Sequence, residues 1–323
     1  MSKALDLAPR KIGRRQLLRW GGLSMLATGM TACSTGPLIG RLDVAGGESG
    51  GMYFEFANLL CEALVKYNIA ESSEALVTEA SVENLRLIKS GRAGLSLALA
   101  DTVAQLKPRD KSLAALGRVY QNYYHCLVPE NSSIKTLADL SGRQLGTGAP
   151  GSGTWVTGQR ILKAAGLDST QRSPRERQLG YVGGLKALSE GEIEALFLFG
   201  GIPVSSITEL GESVPLRLID MSSVLPSLRE QYPRLYEHVI IPQGTYRGID
   251  QVDTVGVANL LMANVSLPDR VASAVVELLV NHAPELIPRN SAGIQYLTPD
   301  TLISTGGQTL HPAALETYRR LHG

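Results

Sequence analysis

The chain has 323 residues, of which 44% are hydrophobic and 19% are charged, and its formal net charge is +1 at pH 7. Only 5% of the residues are aromatic, whereas 34 residues are glycine. The apolar residues are therefore mainly aliphatic, which is typical of α/β proteins with buried sheets rather than of β-sandwiches. The length suits about two domains. The chain has no basic stripe with interleaved aromatic residues, which argues against nucleic-acid binding.

The first 32 residues are basic and then apolar, which predicts export. The pair Arg14-Arg15 resembles a twin-arginine signal. The apolar stretch over 20–32 is too short and too rich in glycine for a comfortable membrane span, and its end resembles a lipobox that leads to Cys33. We predict that the first 32 residues are a signal peptide, that Cys33 carries lipid and that 33–40 is a tether. An uncleaved membrane anchor is the alternative.

Two further cysteines follow Cys33. Cys61 lies in a predicted helix and Cys126 in a predicted strand. Export permits disulfides, and the sequence leaves open whether the two residues pair. We expect two buried free thiols.

Residues 148–154, Gly-Ala-Pro-Gly-Ser-Gly-Thr, predict a glycine turn between a strand and a helix. An amphipathic run over 155–165 follows the turn and ends at Gly166. Such a turn presents backbone N–H groups at the positive end of a helix dipole, so it predicts an anion site. The hydroxyls of Ser152 and Thr154 lie where helix N-caps are expected. A tight turn without a ligand is the alternative interpretation.

Two more glycine turns are predicted at the same edge of the sheet. Residues 46–51 follow a predicted strand over 41–45 and precede a predicted helix over 52–67. Gly200-Gly201 follows an apolar strand over 193–199. Ligands of open α/β sheets bind beyond the carboxyl ends of the strands. The turns therefore predict facing walls of one site.

Three polar residues extend this predicted site. Ser81 is expected to be a helix N-cap, and Asn84 is expected to point back toward the same helix end. An ordinary cap with a surface asparagine is the alternative. Asp101 directly follows the apolar run over 94–100, so it is expected at the carboxyl end of a strand.

Two apolar segments, over 116–128 and 252–263, are longer than typical strands. A long strand that is shared by two lobes serves as half of a hinge. We therefore predict a chain that crosses into an inserted α/β lobe, in which 178–182 is a strand, and then crosses back. The predicted boundaries are 41–124 with 250–323 for the first lobe and 125–249 for the second lobe.

Several short motifs occur in a characteristic order. They are Gly46-Gly47…Gly50-Gly51-Met52-Tyr53, Ser81-Val82-Glu83-Asn84-Leu85, Ala138-Asp139-Leu140-Ser141-Gly142, Gly148-Ala149-Pro150-Gly151-Ser152-Gly153-Thr154, Thr245-Tyr246-Arg247-Gly248, and His311-Pro312 with Tyr318. In this order they resemble the TAXI family, the solute-binding proteins of one branch of the TRAP transporters. The resemblance covers about residues 42–318. Its most specific parts are the Gly-Ser-Gly-Thr run and the Ser-x-x-Asn helix start, and each alone is weak.

The resemblance implies an α/β, two-lobed periplasmic-binding-protein-like fold of type II, with two hinge strand crossings and a ligand cleft between the lobes. It implies that the lobes close on a small organic anion, such as glutamate, a dicarboxylate or a 2-oxo acid. An ion-gradient-driven TRAP permease in the membrane would then receive this ligand. No cofactor, metal, nucleic acid or chemical step is expected, and the protein is expected to be periplasmic and monomeric.

The expected ligand-binding residues have two sources. The resemblance implies Ser49, Gly50, Gly51, Met52, Tyr53, Ser81, Asn84, Gly151, Ser152, Gly153 and Thr154. The position at strand ends adds Gly47, Asp101, Gly200 and Gly201. Glu48 departs from the small residue that is usual in the family, so it is expected either to point out of the site or to face an amino group of the ligand.

Other functions remain open at this point. Residues 47–51 form a G-x-S-x-G sequence between a strand and a helix, which fits an exported serine hydrolase with Ser49 as the nucleophile and His311 downstream. A sensor that presents its closed form to a membrane receptor is a further alternative. Residues 146–151 match G-x-G-x-x-G with Asp168 beyond them, a weak dinucleotide signal. The five histidines lack ligand spacing, so no metal site is predicted.

Overall fold

The computed structural model of the chain describes residues 36–106, 111–169, 171–289, 291–294 and 296–322. The predicted signal peptide and Cys33 lie outside these residues. Residues Pro37–Gly323 belong to one unit of the chain. Among the described residues, no helix has the length and the hydropathy that are needed to cross a bilayer.

Strands and helices alternate along the described chain. The elements up to the first long strand are β1 (Ile39–Arg41), β2 (Val44–Gly47), α1 (Met52–Lys66), β3 (Ala70–Ser72), β4 (Ala75–Val77), α2 (Ser81–Lys89), β5 (Leu95–Leu99), α3 (Ala100–Leu106) and β6 (Leu113–Pro129). The next elements are β7 (Gln144–Gly146), α4 (Gly153–Ala164), β8 (Arg175–Arg177), α5 (Tyr181–Ser189), β9 (Ala195–Gly200), α6 (Ser205–Ser213), β10 (Leu216–Leu218), α7 (Leu225–Gln231) and β11 (Glu237–Ile241). The last elements are β12 (Val252–Asn264), α8 (Asp269–Asn281), α9 (Pro299–Leu302) and α10 (Pro312–His322). Short 3₁₀ turns lie at Leu137–Leu140, Ser222–Val224 and Ala283–Leu286.

One mixed sheet runs through both halves of this part of the chain. Its strand order is β4-β2-β5-β12-β6-β9-β7-β8, with β10 paired to β6 and β11 paired to β12. The strands β4, β2 and β5 are parallel, and so are β9, β7 and β8. In the middle, β12 is antiparallel to β5, β6 and β11. Each end of the sheet is thus a parallel α/β layer, and antiparallel strands join the two ends.

The strands β6 and β12 carry the chain from one half to the other and back. They contain 17 and 13 residues, and their register places Val257 opposite Asn122. Nearly every residue of both strands is buried, because helices and loops cover both faces of the sheet. The predicted two-lobed α/β fold with two strand crossings is therefore confirmed. The boundaries of the two lobes stay a prediction.

Aliphatic side chains fill the cores on both sides of the crossing. In the first half, Phe56 and Leu60 of α1 belong to the same buried cluster as Val275 and Leu279 of α8. These residues recur every three to four positions, so each helix buries one apolar stripe. Full burial of one such side chain contributes roughly 1.5–3 kcal/mol. A second cluster fills the other half around Leu196 of β9.

The predicted strand over 178–182 is wrong. The extended segment is β8, which ends at Arg177 beside β7, and helix α5 begins at Tyr181. The carboxylate of Glu48 accepts the N–H of Tyr181. A carboxylate at this position stabilises a helix start, because it pairs with an N–H that has no acceptor within the helix.

The predicted N-cap at Ser81 is also wrong. Ala80, with a φ of 72°, is the N-cap of α2, and Ser81 is the first helical residue. The Ser81 hydroxyl accepts the N–H of Leu99 at 3.1 Å instead of capping its own helix. It therefore ties α2 to the end of β5.

Candidate functional site

A cavity of about 60 Å³ lies between the two halves of the sheet. Its walls are formed by loops and helix starts that follow strands in both halves. It is therefore situated beyond the carboxyl ends of parallel strands, where α/β proteins bind ligands. The lining residues are Gly47, Glu48, Gly51, Met52, Tyr53, Ala80, Ser81, Leu99, Ser152, Gly153, Thr154, Tyr181, Phe199 and Gly200.

Four helices point their N-termini at this cavity. Met52, Ser81, Gly153 and Tyr181 are the first residues of α1, α2, α4 and α5, and all four line the cavity. The first N–H groups of a helix have no acceptor within that helix. Each helix dipole also places partial positive charge at its N-terminus. The convergence therefore places partial positive charge at the cavity, although no lysine or arginine is among its described lining residues.

Glycine is required where two of the turns approach the cavity. Gly47 and Gly148 have φ values of +89° and +90°, which side chains rarely adopt. A Cβ on Gly148 would lie 2.7 Å from the Ser152 hydroxyl oxygen and 2.8 Å from the Thr154 Cβ. Glycine at 148 thus lets the turn fold back tightly onto the start of α4.

Hydroxyl groups add polar surface to the cavity, among them those of Ser152, Ser81 and Tyr53. Ser152 is the N-cap of α4, and its hydroxyl accepts the N–H of Trp155 at 3.2 Å. The Ser81 hydroxyl lies 3.3 Å from the Tyr53 hydroxyl. Burial raises the pKa of Tyr53 well above its ordinary value, so this phenol stays protonated. The site therefore offers neutral groups that donate hydrogen bonds.

Glu48 is the one charged side chain among the described residues that line the cavity. Its Oε2 accepts the N–H of Tyr181 at 2.7 Å, so a residue of the first half caps helix α5 of the second half. Burial raises the pKa of Glu48, the hydrogen bond from Tyr181 lowers it, and the nearby charge of Glu79 raises it further. Glu48 thus faces into the cavity and does not point out of it.

Several residues that the sequence placed in the site do not line the cavity. Ser49 and Gly50 are exposed, Gly151 borders an adjoining groove, and Gly201 packs against Met52. Asn84 and Asp101 also lie outside the cavity lining. The structure therefore brings together Gly47, Gly51, Met52, Tyr53, Ser81, Ser152, Gly153, Thr154 and Gly200.

The side chain of Asn84 is engaged inside the first half. Its Oδ1 accepts the hydroxyl of Thr78 at 2.5 Å, and its Nδ2 donates to the carbonyl of Leu97 at 2.8 Å. Asn84 is fully buried. It therefore does not point toward the start of α2, as the sequence suggested, and instead joins α2 to the neighbouring strand β5.

Asp101 lies in the first turn of α3, a helix that the sequence pattern did not indicate. Its Oδ2 accepts the hydroxyls of Thr157 at 2.6 Å and Tyr236 at 2.8 Å. The guanidinium of Arg160 lies 3.5 Å from the same oxygen. This fully buried carboxylate thus connects α3 of the first half to α4 of the second half, outside the cavity lining.

Four lining residues were missed by sequence reasoning: Ala80, Leu99, Tyr181 and Phe199. Leu99 and Phe199 are at the carboxyl ends of β5 and β9, so the strand-end rule would have found both. Tyr181 was missed because its segment was assigned to a strand. Nothing in the sequence pattern singles out Ala80.

The hydrolase arrangement is not formed around Ser49. Ser49 is exposed and lies outside the cavity lining. His311 is fully buried, its Nδ1 accepts the N–H of Ala313 at 3.3 Å, and its Nε2 lies 3.2 Å from the carbonyl oxygen of Val265. His311 therefore caps the start of α10 and packs, as the sequence suggested. Asp168 lies in the loop after α4 and not at the end of a second strand, so the dinucleotide pattern is not completed.

The crossing strands and the cavity between two α/β halves define a two-lobed, periplasmic-binding-protein-like molecule. The cavity, as the candidate ligand site, lies beyond the carboxyl ends of strands in both halves. The chain belongs to the NMT1-like family, whose family model matches residues 44–320. It is accordingly a binding protein for small solutes and not an enzyme.

Two solved structures of similar proteins agree with this fold, and a third is more distantly similar. A protein from Bordetella bronchiseptica RB50 is 14% identical, with a TM-score of 0.53, and the match covers 88% of this chain and 98% of that chain. A Xanthomonas citri protein bound to chloride ion is 13% identical, with a TM-score of 0.51, and the match covers 88% of this chain and 95% of that chain. The periplasmic aliphatic sulphonate binding protein SsuA from Escherichia coli is 17% identical, with a TM-score of 0.46, and the match covers 87% of this chain and 83% of that chain. At these identities the likeness concerns the fold alone.

Proposed function

We propose that this chain is the extracytoplasmic solute-binding protein of a TAXI-type TRAP transporter, and that it captures a small organic anion in the cavity. The observation that carries the proposal is the convergence of four helix N-termini on the cavity. Backbone N–H groups and hydroxyls are the available donors there. Each charge-assisted hydrogen bond to an anion contributes roughly 1.5–3 kcal/mol.

The start of α4 is the proposed main anion contact. The N–H groups of Gly153 and Thr154, in the first turn, have no acceptor within α4. The Ser152 hydroxyl lies beside them. Met52 and Ser81 bring the starts of α1 and α2 from the other side. A carboxylate of the ligand would therefore be held by both lobes at once.

Closure of the two lobes would bury the ligand. The hinge is proposed at the crossing strands near Tyr120 and Val257, with lobe 1 over 41–124 and 250–323 and lobe 2 over 125–249. Because the ligand contacts both lobes, it binds the closed form more tightly and shifts the population toward that form. A membrane permease of the TRAP type would recognise the closed form and accept the ligand.

The proposed location is the periplasm, where a lipid on Cys33 would hold a monomeric protein at a membrane. The twin-arginine pair and the lipobox-like sequence support this part of the proposal. Mass spectrometry of the mature protein tests it. The expected product begins at Cys33 and carries acyl chains, whereas a chain that retains its first 32 residues would contradict it.

A thermal-shift screen tests the binding function. The panel contains amino acids, dicarboxylates and 2-oxo acids, followed by calorimetry for each compound that raises the melting temperature. A true ligand at 100 times its Kd stabilises the folded state by about 2.7 kcal/mol. Stabilisation by no carboxylate in the panel would contradict the proposal. For transport, loss of uptake of that ligand is expected in a strain that lacks the gene.

A further inference from the structure

Glu48 gives the cavity a negative charge that backbone donors do not neutralise. Within the described residues, the one hydrogen bond to its carboxylate comes from the N–H of Tyr181. An ionised carboxylate can accept about four hydrogen bonds. Partial burial and the nearby charge of Glu79 both favour the neutral acid, as the raised pKa of Glu48 shows. An additional cation beside this carboxylate would offset these effects.

The same carboxylate also changes what an anion can reach. Its Oε2 sits at the start of α5, and a Cβ on Gly180 would lie only 3.1 Å from that oxygen. The N-terminus of α5 is therefore already occupied by an anion that belongs to the protein. The starts of α1, α2 and α4 remain for an anionic group of the ligand. The cavity thus combines three electropositive helix starts with a single carboxylate.

We propose that Glu48 determines specificity by selecting ligands that carry an anionic and a cationic group together, with the cation bound beside the Glu48 carboxylate. This inference rests on the proposed function, because the anionic group is the one held by the helix N-termini. A small zwitterion with an ammonium group a few bonds from its carboxylate carries both of these charged groups. A second carboxylate beside Glu48 would be repelled.

Matched ligand sets test the inference. One set is L-alanine, L-lactate and pyruvate, and the other is L-glutamate, 2-hydroxyglutarate and 2-oxoglutarate. Calorimetry is performed on the wild-type protein and on Glu48→Gln, which keeps an acceptor oxygen for Tyr181 but removes the charge. In the wild-type protein we expect the amino member of at least one set to bind about tenfold or more tightly than its oxo and hydroxy partners. In Glu48→Gln this preference is expected to disappear.

Glu79→Gln is the matched control. Glu79 is exposed and lies outside the cavity lining, so this variant removes an acidic charge near the site without changing the walls. It should retain the preference for the amino compounds, and thermal melts verify that both variants fold. Equal affinity of the wild-type protein for all members of a set that binds would overturn the inference and leave the anion-binding function standing. A preference that persists in Glu48→Gln would also overturn it. Binding of no compound by either protein would contradict both proposals.

Discussion

The hydroxyl of Thr157 donates a hydrogen bond of 2.6 Å to the carboxylate of Asp101, and this bond joins α4 of the second half to α3 of the first. Tyr236 and Arg160 approach the same Oδ2. The contact lies away from the cavity, so it holds the two helices together without using the residues that line the cavity. Substitution of these residues measures how much the contact contributes to the free energy of unfolding.

Asp101→Asn should lower the free energy of unfolding by about 2–3 kcal/mol, because it weakens charge-assisted hydrogen bonds in a buried place. Urea denaturation measures the change. Thr157→Val removes one donor and should cost about 1 kcal/mol. If Asp101→Asn instead abolished ligand binding and left the stability unchanged, Asp101 would be a ligand contact rather than a bridge between the halves.

Gly153→Ala should weaken ligand binding by tenfold or more. The new Cβ would lie 2.4 Å from Leu99 Cδ1 and 3.0 Å from the Ser81 hydroxyl, so the start of α4 would be pushed away from the first lobe. Calorimetry with the compound that binds best measures the loss. Gly183→Ala is the control, since nothing lies within 4 Å of its Cβ position. That variant should bind normally and gain up to about 1 kcal/mol of stability from helix propensity. Equal affinity of both variants would refute the steric argument.

His125 should make the stability depend on pH between about 4 and the ordinary histidine range. It is fully buried, its Nδ1 donates to the carbonyl of Tyr123, and its Nε2 accepts the hydroxyl of Tyr246. Burial lowers its pKa to about 4. Below pH 6.5 the unfolded chain therefore binds this proton more readily than the folded chain does. The free energy of unfolding should decrease as the pH falls toward 4, by up to about 3 kcal/mol from this group.

Denaturation curves at several pH values measure the contribution of His125. Other acidic groups also make the free energy of unfolding depend on pH, so the wild-type protein is compared with His125→Gln. In this variant the part of the pH dependence that comes from His125 should be lost. Tyr246→Phe keeps the imidazole buried and should retain the dependence. Identical pH profiles for the wild-type protein and His125→Gln would show that the imidazole does not resist protonation.

Cys61 and Cys126 should react slowly with maleimides in the native protein. Both are free and buried, as expected from the sequence, and burial raises their pKa values to about 11 and about 12. The thiolate is the reactive form, so labelling should become rapid only in urea. Mass spectrometry counts the added groups. Fast labelling of the folded protein, or no labelling in urea without a reductant, would contradict the free buried thiols.

The sequence predicts the glycine turns well, because a positive φ restricts the residue type at single positions. The loops around Gly47 and Gly148 could be located for this reason, and the long strands could be recognised from uninterrupted apolar runs. The partners of polar side chains were not predictable in the same way. Asn84 bonds to Thr78 and Leu97, and nothing in the spacing distinguishes that bond from a ligand contact.

The role of Glu48 depends on a residue that is distant in the chain. Its partner is the N–H of Tyr181, more than a hundred positions away, at the start of a helix whose first two residues the sequence pattern assigned to a strand. A carboxylate beside a glycine turn suggests only that it points out or meets a positive group. The fold alone brings the start of α5 to it, because α5 follows β8, whose carboxyl end lies at the same edge of the sheet as those of the parallel strands β7 and β9.

The two strand crossings also have a consequence for how such proteins diversify. Tyr123 lies opposite Gly256 in adjacent antiparallel strands, so the segment between them leaves and re-enters the first lobe at neighbouring points. Strands that pair in this way are only about 5 Å apart. A recombination event could therefore exchange this segment as a cassette without lengthening either connection. Because the exchanged segment contains one wall of the cavity, a single exchange would pair two existing half-sites and could change the ligand that is bound.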